Sequence, residues 1–134
     1  MRKERTQGIL MSKQIVLASA GQSETAQVIP HLEQRDWQVV MATTATETLS
    51  LIEQVRPLAA IIDVDLPDMT GWDVLQQVRQ SPLLRSTAVI LVYPAGASDE
   101  DYFRGMQLGA DVNLSSPFEP LEMISFLSRL ACYE

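Results

Sequence analysis

The sequence IIDVDLPDMTGWDVL, residues 61–75, joins an apolar run to an acidic turn and a helix start. The run over residues 59–63 is apolar until it ends at Asp63. A short apolar run without polar alternation is typical of a strand that is buried on both faces. Thr70 and Asp73 have the spacing of a helix N-cap pair. This stretch therefore predicts a buried strand, a turn and a helix.

The same strand-then-helix pattern recurs along the whole chain. Strands are predicted at residues 15–18, 39–42, 59–63, 88–92 and 112–114. Helices are predicted over 23–35, from Thr44 to Pro57, from Thr70 through Val78, from Ser98 to Leu108 and over 121–130, with Pro30 bending the first of them. Regular alternation of this kind predicts an α/β fold with a doubly wound parallel sheet.

The length of 134 residues suits a single domain. We interpret residues 1–11 as an N-terminal extension and residues 12–134 as the domain. The first residues, MRKERTQGIL, lack the apolar central region of a signal peptide. The sequence leaves open whether the chain is a lone module or one piece of a larger protein.

The charge and the cysteine content exclude several classes of protein. Ten Lys and Arg residues against 17 Asp and Glu residues give a net charge of -7, which argues against a nucleic-acid-binding face or an anionic membrane surface. No apolar run approaches the roughly 20 residues of a membrane span. The single cysteine, Cys132, cannot form an internal disulfide. We therefore expect a cytoplasmic protein that contacts neither nucleic acid nor membrane directly.

Asp63 is the strongest candidate for a functional residue. Ligands of doubly wound sheets bind at the carboxyl ends of the strands, and Asp63 ends an otherwise apolar strand. Burying an unpaired carboxylate is costly, so packing does not explain it. The alternative is a carboxylate that caps a nearby backbone N–H. Asp68 and Asp73 are expected to support the turn and to cap the helix.

The acidic turn does not have the pattern of an EF-hand calcium loop. Pro67 stands where such a loop needs an oxygen ligand, and no Glu closes the loop at its twelfth position. The chain also lacks a P-loop and a Gly-x-Ser-x-Gly motif. A nucleotide-hydrolysing or acyl-transfer enzyme is therefore not predicted.

The run from Asp63 through Pro67 to Gly71 resembles the receiver domain of bacterial two-component response regulators, the CheY-like family. The segments 108–111 (LGAD) and 117–118 (PF) resemble the loops before and after the last strand of that family. The resemblance covers about residues 12–131. It implies a flavodoxin-like, five-stranded parallel sheet in the order 2-1-3-4-5 with helices on both faces. It also implies that Asp63 accepts a phosphoryl group from a histidine kinase.

The chain departs from this family at the residues that support the acceptor. The acidic pair just after the first strand is replaced, on our assignment, by Ala18 and Ser19. Ser116 replaces the lysine of the last loop, and Tyr93 replaces the Thr or Ser at the end of the fourth strand. Asn113 stands at the position of the switch aromatic. Tyr93 is expected to fill the space beside the last two helices and to hold one conformation.

These departures favour a degenerate pseudo-receiver. Phosphoryl transfer needs a divalent cation and a basic side chain to neutralise charge, and Mg²⁺ prefers several carboxylate ligands. Asp63 and Asp65 are only weak candidate ligands, so no cofactor is expected. The leading hypothesis is a protein-interaction module, not an enzyme, that binds a histidine kinase, an output domain or its own copy. The alternative is a functional receiver that takes a phosphoryl group on Asp63 with Mg²⁺. A small-molecule binder that uses the same sheet edge is a third, weaker hypothesis.

Overall fold

The computed structural model describes residues 13–20 and 24–132, and the expected extension over residues 1–11 lies outside them. The strands are β1 (Gln14–Ala18), β2 (Gln38–Ala42), β3 (Ala59–Asp63), β4 (Ala88–Tyr93) and β5 (Val112–Ser115). The helices are α1 (Ile29–Glu33), α2 (Ala45–Val55), α3 (Gly71–Gln80), α4 (Asp99–Leu108) and α5 (Pro120–Cys132). In the described ranges, no helix has the length and apolar character needed to cross a membrane.

The strands form one parallel sheet in the order β2-β1-β3-β4-β5, which confirms the predicted doubly wound fold. The register pairs Ala18 of β1 with Ile62 of β3, and Asp63 of β3 with Val92 of β4. The carboxyl ends of the three central strands therefore meet at one edge of the sheet. This is the edge at which doubly wound sheets bind their ligands.

The sheet buries side chains on both faces, as the apolar strands predicted. On one face, Ala18 and Leu91 pack with residues of α2 and α3 and with the inner side of α4. On the other face, Leu17 and Ile90 pack with residues of α1 and α5. Because alternate residues of a strand point to opposite faces, a shift of one position moves a side chain from one core cluster to the other.

The helix starts agree with the predicted caps, except at the first helix. Thr70 and Ser98 each form a capping box at the start of α3 and α4. The prediction of one bent helix over residues 23–35 was wrong. A 3₁₀ helix, Glu24–Val28, is followed by the short helix α1, and Pro30 lies in the first turn of α1. Proline is tolerated there because the first N–H groups of a helix have no partner within it.

Candidate functional site

Asp63 lies in a cleft at the carboxyl edge of the sheet. Its side chain is only 6% exposed, although it ends a strand. The cleft has a volume of about 290 Å³. The described residues that line it are Ala20, Glu24, Asp63, Asp65, Val92, Tyr93, Pro94, Ala95 and Ser116. The structure therefore brings together four of the residues singled out in the sequence, namely Asp63, Asp65, Tyr93 and Ser116.

The start of α3 fixes the backbone that follows Asp63. The N–H of Gly71 donates to the carbonyl oxygen of Val64 over 2.8 Å, and the N–H of Val64 donates to the carbonyl oxygen of Val92 over 2.9 Å. A Cβ atom at residue 71 would lie 2.7 Å from the carbonyl oxygen of Asp63. Only glycine allows this close approach between two backbones. The glycine of the acidic turn therefore seats the helix against the end of β3.

Thr25 is a direct partner of Asp63 that the sequence did not reveal. Its hydroxyl donates a hydrogen bond of 2.5 Å to Oδ1 of Asp63, and its side chain is fully buried. Thr25 belongs to the 3₁₀ segment that replaces the first part of the predicted helix. Glu24, beside it, lines the cleft. The carboxylate of Asp63 is thus held by a neutral hydroxyl from the segment that follows β1.

The structure shifts the assignment of the residues just after β1. Ala18 is the last residue of that strand and is fully buried in the core cluster shared with α2 and α3. Ser19 follows the Ala18–Ile62 pair, so it is level with Asp63, and it is fully buried. Ala20 is exposed and lines the cleft. The two positions immediately after the strand are therefore Ser19 and Ala20, and Ala18 does not line the cleft.

The remaining predicted positions divide between the cleft and the core. Ser116 lines the cleft, and its N–H donates to the carbonyl oxygen of Tyr93 over 2.8 Å. Tyr93 contributes to the cleft wall, but its side chain is 1% exposed and packs on the α2–α3 side of the sheet. Asn113 does not line the cleft and instead contacts the hydroxyl of Tyr93.

The cleft carries negative charge. Three of its lining residues are carboxylates, namely Glu24, Asp63 and Asp65, and none of the described residues that line it is basic. Within residues 13–20 and 24–132, no three His, Cys, Asp or Glu side chains are grouped so that they could hold a metal ion. The side chain of Ala20 offers no ligand atom. This donor set does not fit Mg²⁺, which needs several converging oxygens.

Asp68 connects the acidic turn to the start of α2. Its Oδ1 accepts a hydrogen bond of 2.7 Å from the N–H of Ala45. Its Oδ2 accepts from the N–H of Thr46 over 3.0 Å and from the hydroxyl of Thr46 over 2.9 Å. These backbone donors lower the pKa of Asp68 from 3.8 to about 2. A negative charge at a helix N-terminus is also favourable, so Asp68 is a structural clamp beside the site.

We expect Asp68→Asn to lower the melting temperature at pH 7, because the uncharged amide accepts these hydrogen bonds more weakly. The folded pKa is about 2 and the ordinary value is 3.8, so the contribution of the charge is complete above about pH 4. It is lost as the pH falls through about 2. Melting curves of both proteins between pH 7 and pH 2 should therefore converge at the acid end. Asp65→Asn, in the same exposed turn, is the control, and an equal pH dependence in both variants would contradict the clamp.

Asp111, the aspartate of the LGAD segment, lies at the opposite edge of the sheet. Its Oδ2 accepts from the N–H of Val89 over 2.8 Å and forms an ion pair of 2.9 Å with Arg79. Arg79 also donates to the carbonyl oxygens of Gly109 and Thr87. This network joins the end of α3 to the segment before β5. The segment is therefore structural in this chain and is remote from the cleft.

The sheet order and the aspartate at the carboxyl end of β3 define a receiver-type α/β domain. Residues 9–128 match the response regulator receiver domain, so the chain belongs to that family. Regulatory protein VanRc of Enterococcus gallinarum is 30% identical over 115 residues, which are 86% of this chain and 48% of that protein. Alkaline phosphatase synthesis transcriptional regulatory protein PhoP of Bacillus subtilis is 31% identical over 113 residues, which are 84% of this chain and 46% of that protein.

The similarity extends to solved structures. A CheY-like response regulator receiver domain protein from Methanospirillum hungatei has a TM-score of 0.79 and 25% identity to this chain. The match covers 90% of this chain and 94% of that one. By contrast, the chain spans about half the length of the two regulatory proteins. The likeness therefore concerns the receiver domain.

Proposed function

We propose that this chain is an atypical receiver domain that works as a protein-interaction module without phosphorylation of Asp63. The observation that carries the proposal is the composition of the cleft around Asp63. Ala20 and Ser116 line it, and neither has a charged side chain. In the family that the sequence resembles, the corresponding segments supply an acidic pair and a lysine.

The charges in the cleft oppose phosphoryl transfer. A phosphoryl group in transit carries negative charge that a cation and a basic side chain must neutralise. Here the group would enter a cleft that Glu24 and Asp65 also line, with no basic residue among the described lining residues. Removing one such stabilising group lowers the rate of comparable reactions by about 10²–10³-fold. The loss of several groups supports a chain whose output does not depend on phosphate.

A second function is favoured by the position of Asp63 itself. Its carboxylate lies at the carboxyl edge of the sheet, in a cleft of about 290 Å³. That is the position and the residue type of a phosphoacceptor in the family. A receiver that takes a phosphoryl group slowly on Asp63, with Mg²⁺ supplied from solution, is therefore the alternative.

Intact-mass measurement after incubation with Mg²⁺ and acetyl phosphate separates the two functions. We expect the mass of the parent protein to remain unchanged, because the cleft lacks the charges that stabilise the transferred group. Asp63→Asn is the control, since the amide cannot form an acyl phosphate. A mass increase of one phosphoryl group in the parent, absent in the control, would overturn the leading proposal and favour the alternative.

The partners we propose are proteins, namely a histidine kinase, an output domain or a second copy of this chain. The relative from Bacillus subtilis is named a transcriptional regulatory protein, and the chain matches only 46% of it. The expectation of no nucleic-acid contact is therefore limited to the 134 residues of this chain. We propose a cytoplasmic location, which membership of the receiver-domain family supports.

A further inference from the structure

The hydroxyl group of Tyr93 lies at a junction of four structural elements. It donates to Oδ1 of Asn113 in β5 over 2.8 Å, or to the carbonyl oxygen of Asp101 in α4 over 3.1 Å. It accepts from Nε1 of Trp72 in α3 over 3.3 Å. A phenol has one proton to donate and two lone pairs. One oxygen atom of β4 therefore contacts three other elements at once.

Gly105 of α4 provides the space that this hydroxyl occupies. A Cβ atom at residue 105 would collide with Oη of Tyr93 and would lie 2.6 Å from Oδ1 of Asn113. It would also lie 3.1 Å from Cδ1 of Leu91. Gly105 is itself buried. The inner side of α4 therefore fits closely around the Tyr93 hydroxyl and its partner Asn113. A residue larger than glycine at position 105 would push the helix away from the sheet.

Aromatic contacts enclose the same junction. Tyr102 of α4 meets the ring of Tyr93 edge-on, with centroids 4.9 Å apart. The ring of Trp72 is 6.0 Å from that of Tyr93, and the guanidinium of Arg104 lies 4.2 Å above the Trp72 ring. These contacts join α3 to α4 on the outside of the hydroxyl. Opening the junction would break hydrogen bonds and ring contacts together.

The hydroxyl remains protonated under ordinary conditions. Burial raises the pKa of Tyr93 above its ordinary value, and the hydrogen bond from Trp72 opposes this shift only in part. The nearby charge of Asp101 raises the pKa further. The neutral phenol therefore keeps its donor proton at physiological pH. If the ring moved away, the half-buried acceptor Asn113 would lose this donor, which is unfavourable because a partly desolvated polar atom would lose its partner.

We infer that Tyr93, Asn113, Gly105, Trp72 and Tyr102 form a latch that holds α4 against β4 and β5 in one arrangement, whatever the state of Asp63. A two-state switch needs an element whose contacts differ between the states. Here Tyr93, at the wall of the cleft, and Asn113 in β5 are hydrogen-bonded directly to each other. The solvent face of α4 is thereby presented in a single arrangement. This inference goes beyond the proposed function, because the latch holds even in a chain that accepts phosphate.

Hydrogen exchange of the α4 amides tests the latch. Tyr93→Phe removes only the hydroxyl, and the loss of about one partly buried hydrogen bond should speed exchange over residues 103–108 by about fivefold. Exchange in α2 should remain unchanged, because α2 does not touch the hydroxyl. Unchanged exchange in α4 would overturn the latch. Equal acceleration in α2 and α4 would do the same, since it would indicate only a general loss of stability.

Two further variants complete the experiment. Tyr102→Phe is the matched control, because it removes a hydroxyl from the neighbouring ring and retains the ring contact with Tyr93. It should leave the exchange of α4 unchanged. Asp63→Asn and Asp63→Glu alter the charge and the size of the side chain in the cleft, and α4 should exchange in both as in the parent. A faster or slower α4 in either Asp63 variant would show that the helix responds to the cleft and would overturn the inference.

Discussion

Ala18→Asp is expected to destabilise the protein by about 3–5 kcal/mol, because it places an uncompensated carboxylate in the core. Ala18 is fully buried and packs in the cluster between the sheet and helices α2 and α3. Ala20→Asp is expected to change the free energy of unfolding by less than about 1 kcal/mol, because exposed charges are screened by water. Ala20 is exposed and lines the cleft.

Urea unfolding curves of the two variants, at equal protein concentration, measure this difference directly. Lowering the pH should recover part of the stability of Ala18→Asp, since a protonated carboxyl group is less costly to bury. Ala18→Asn separates the effect of charge from that of volume and polarity. If Ala18→Asp and Ala20→Asp lost the same amount of stability, the result would contradict the structure, in which β1 ends at the buried Ala18 and Ala20 is exposed.

This pair of positions shows where sequence reasoning reached its limit. The apolar run predicted β1 correctly, and it ends at Ala18 as expected. The register that places Ser19 level with Asp63 depends on how β1 pairs with β3, and the sequence of neither strand reveals that pairing. An error of one position reverses which side chains enter the core. The two positions that directly follow β1 in the structure, Ser19 and Ala20, therefore lie one residue later than the pair that the sequence analysis assigned.

The acidic turn itself was predictable because its features are local. A strand that ends in Asp63 and a Thr70–Asp73 cap follow from residues close in sequence, and the structure has both. The contact from Thr25 to Asp63 spans 38 residues, and nothing in the 3₁₀ segment signals it. The binding of Asp68 to the start of α2 is similarly long-range. Such contacts depend on the packed fold.

The role of Tyr93 was predictable from the sequence only in part. Its size marked the position as unusual, and the sequence predicted that the side chain would fill space beside the last two helices. The hydroxyl indeed reaches α4, at the carbonyl of Asp101. Its hydrogen bond with Asn113 and the space left by Gly105 depend on how the elements pack, so the sequence did not predict them. A single hydrogen bond thus joins Tyr93 and Asn113, the two residues that the sequence analysis assigned to separate departures from the family pattern.

The combined variant Ala20→Asp, Ser116→Lys is expected to bind Mg²⁺ and to take a phosphoryl group on Asp63 at least about 100-fold faster than the parent. Both positions line the cleft. A carboxylate at 20 would add hard oxygen ligands beside Asp63 and Asp65. An ammonium group at 116 would neutralise charge on the transferred group. Calorimetric titration with Mg²⁺ and intact mass with acetyl phosphate measure the two effects.

Adding Ser19→Asp tests whether the buried position can also carry charge. Ser19 is fully buried and level with Asp63, so this change brings two carboxylates together and is expected to reduce stability unless Mg²⁺ is present. Asp63→Asn in the same background should abolish the adduct. If the combined variant folds but binds no Mg²⁺, the cleft has diverged in backbone shape as well as in charge. If the Ala20→Asp, Ser116→Lys variant binds Mg²⁺ and forms the phosphoryl adduct, the side chains at positions 20 and 116 alone account for the difference between this chain and a receiver that accepts phosphate.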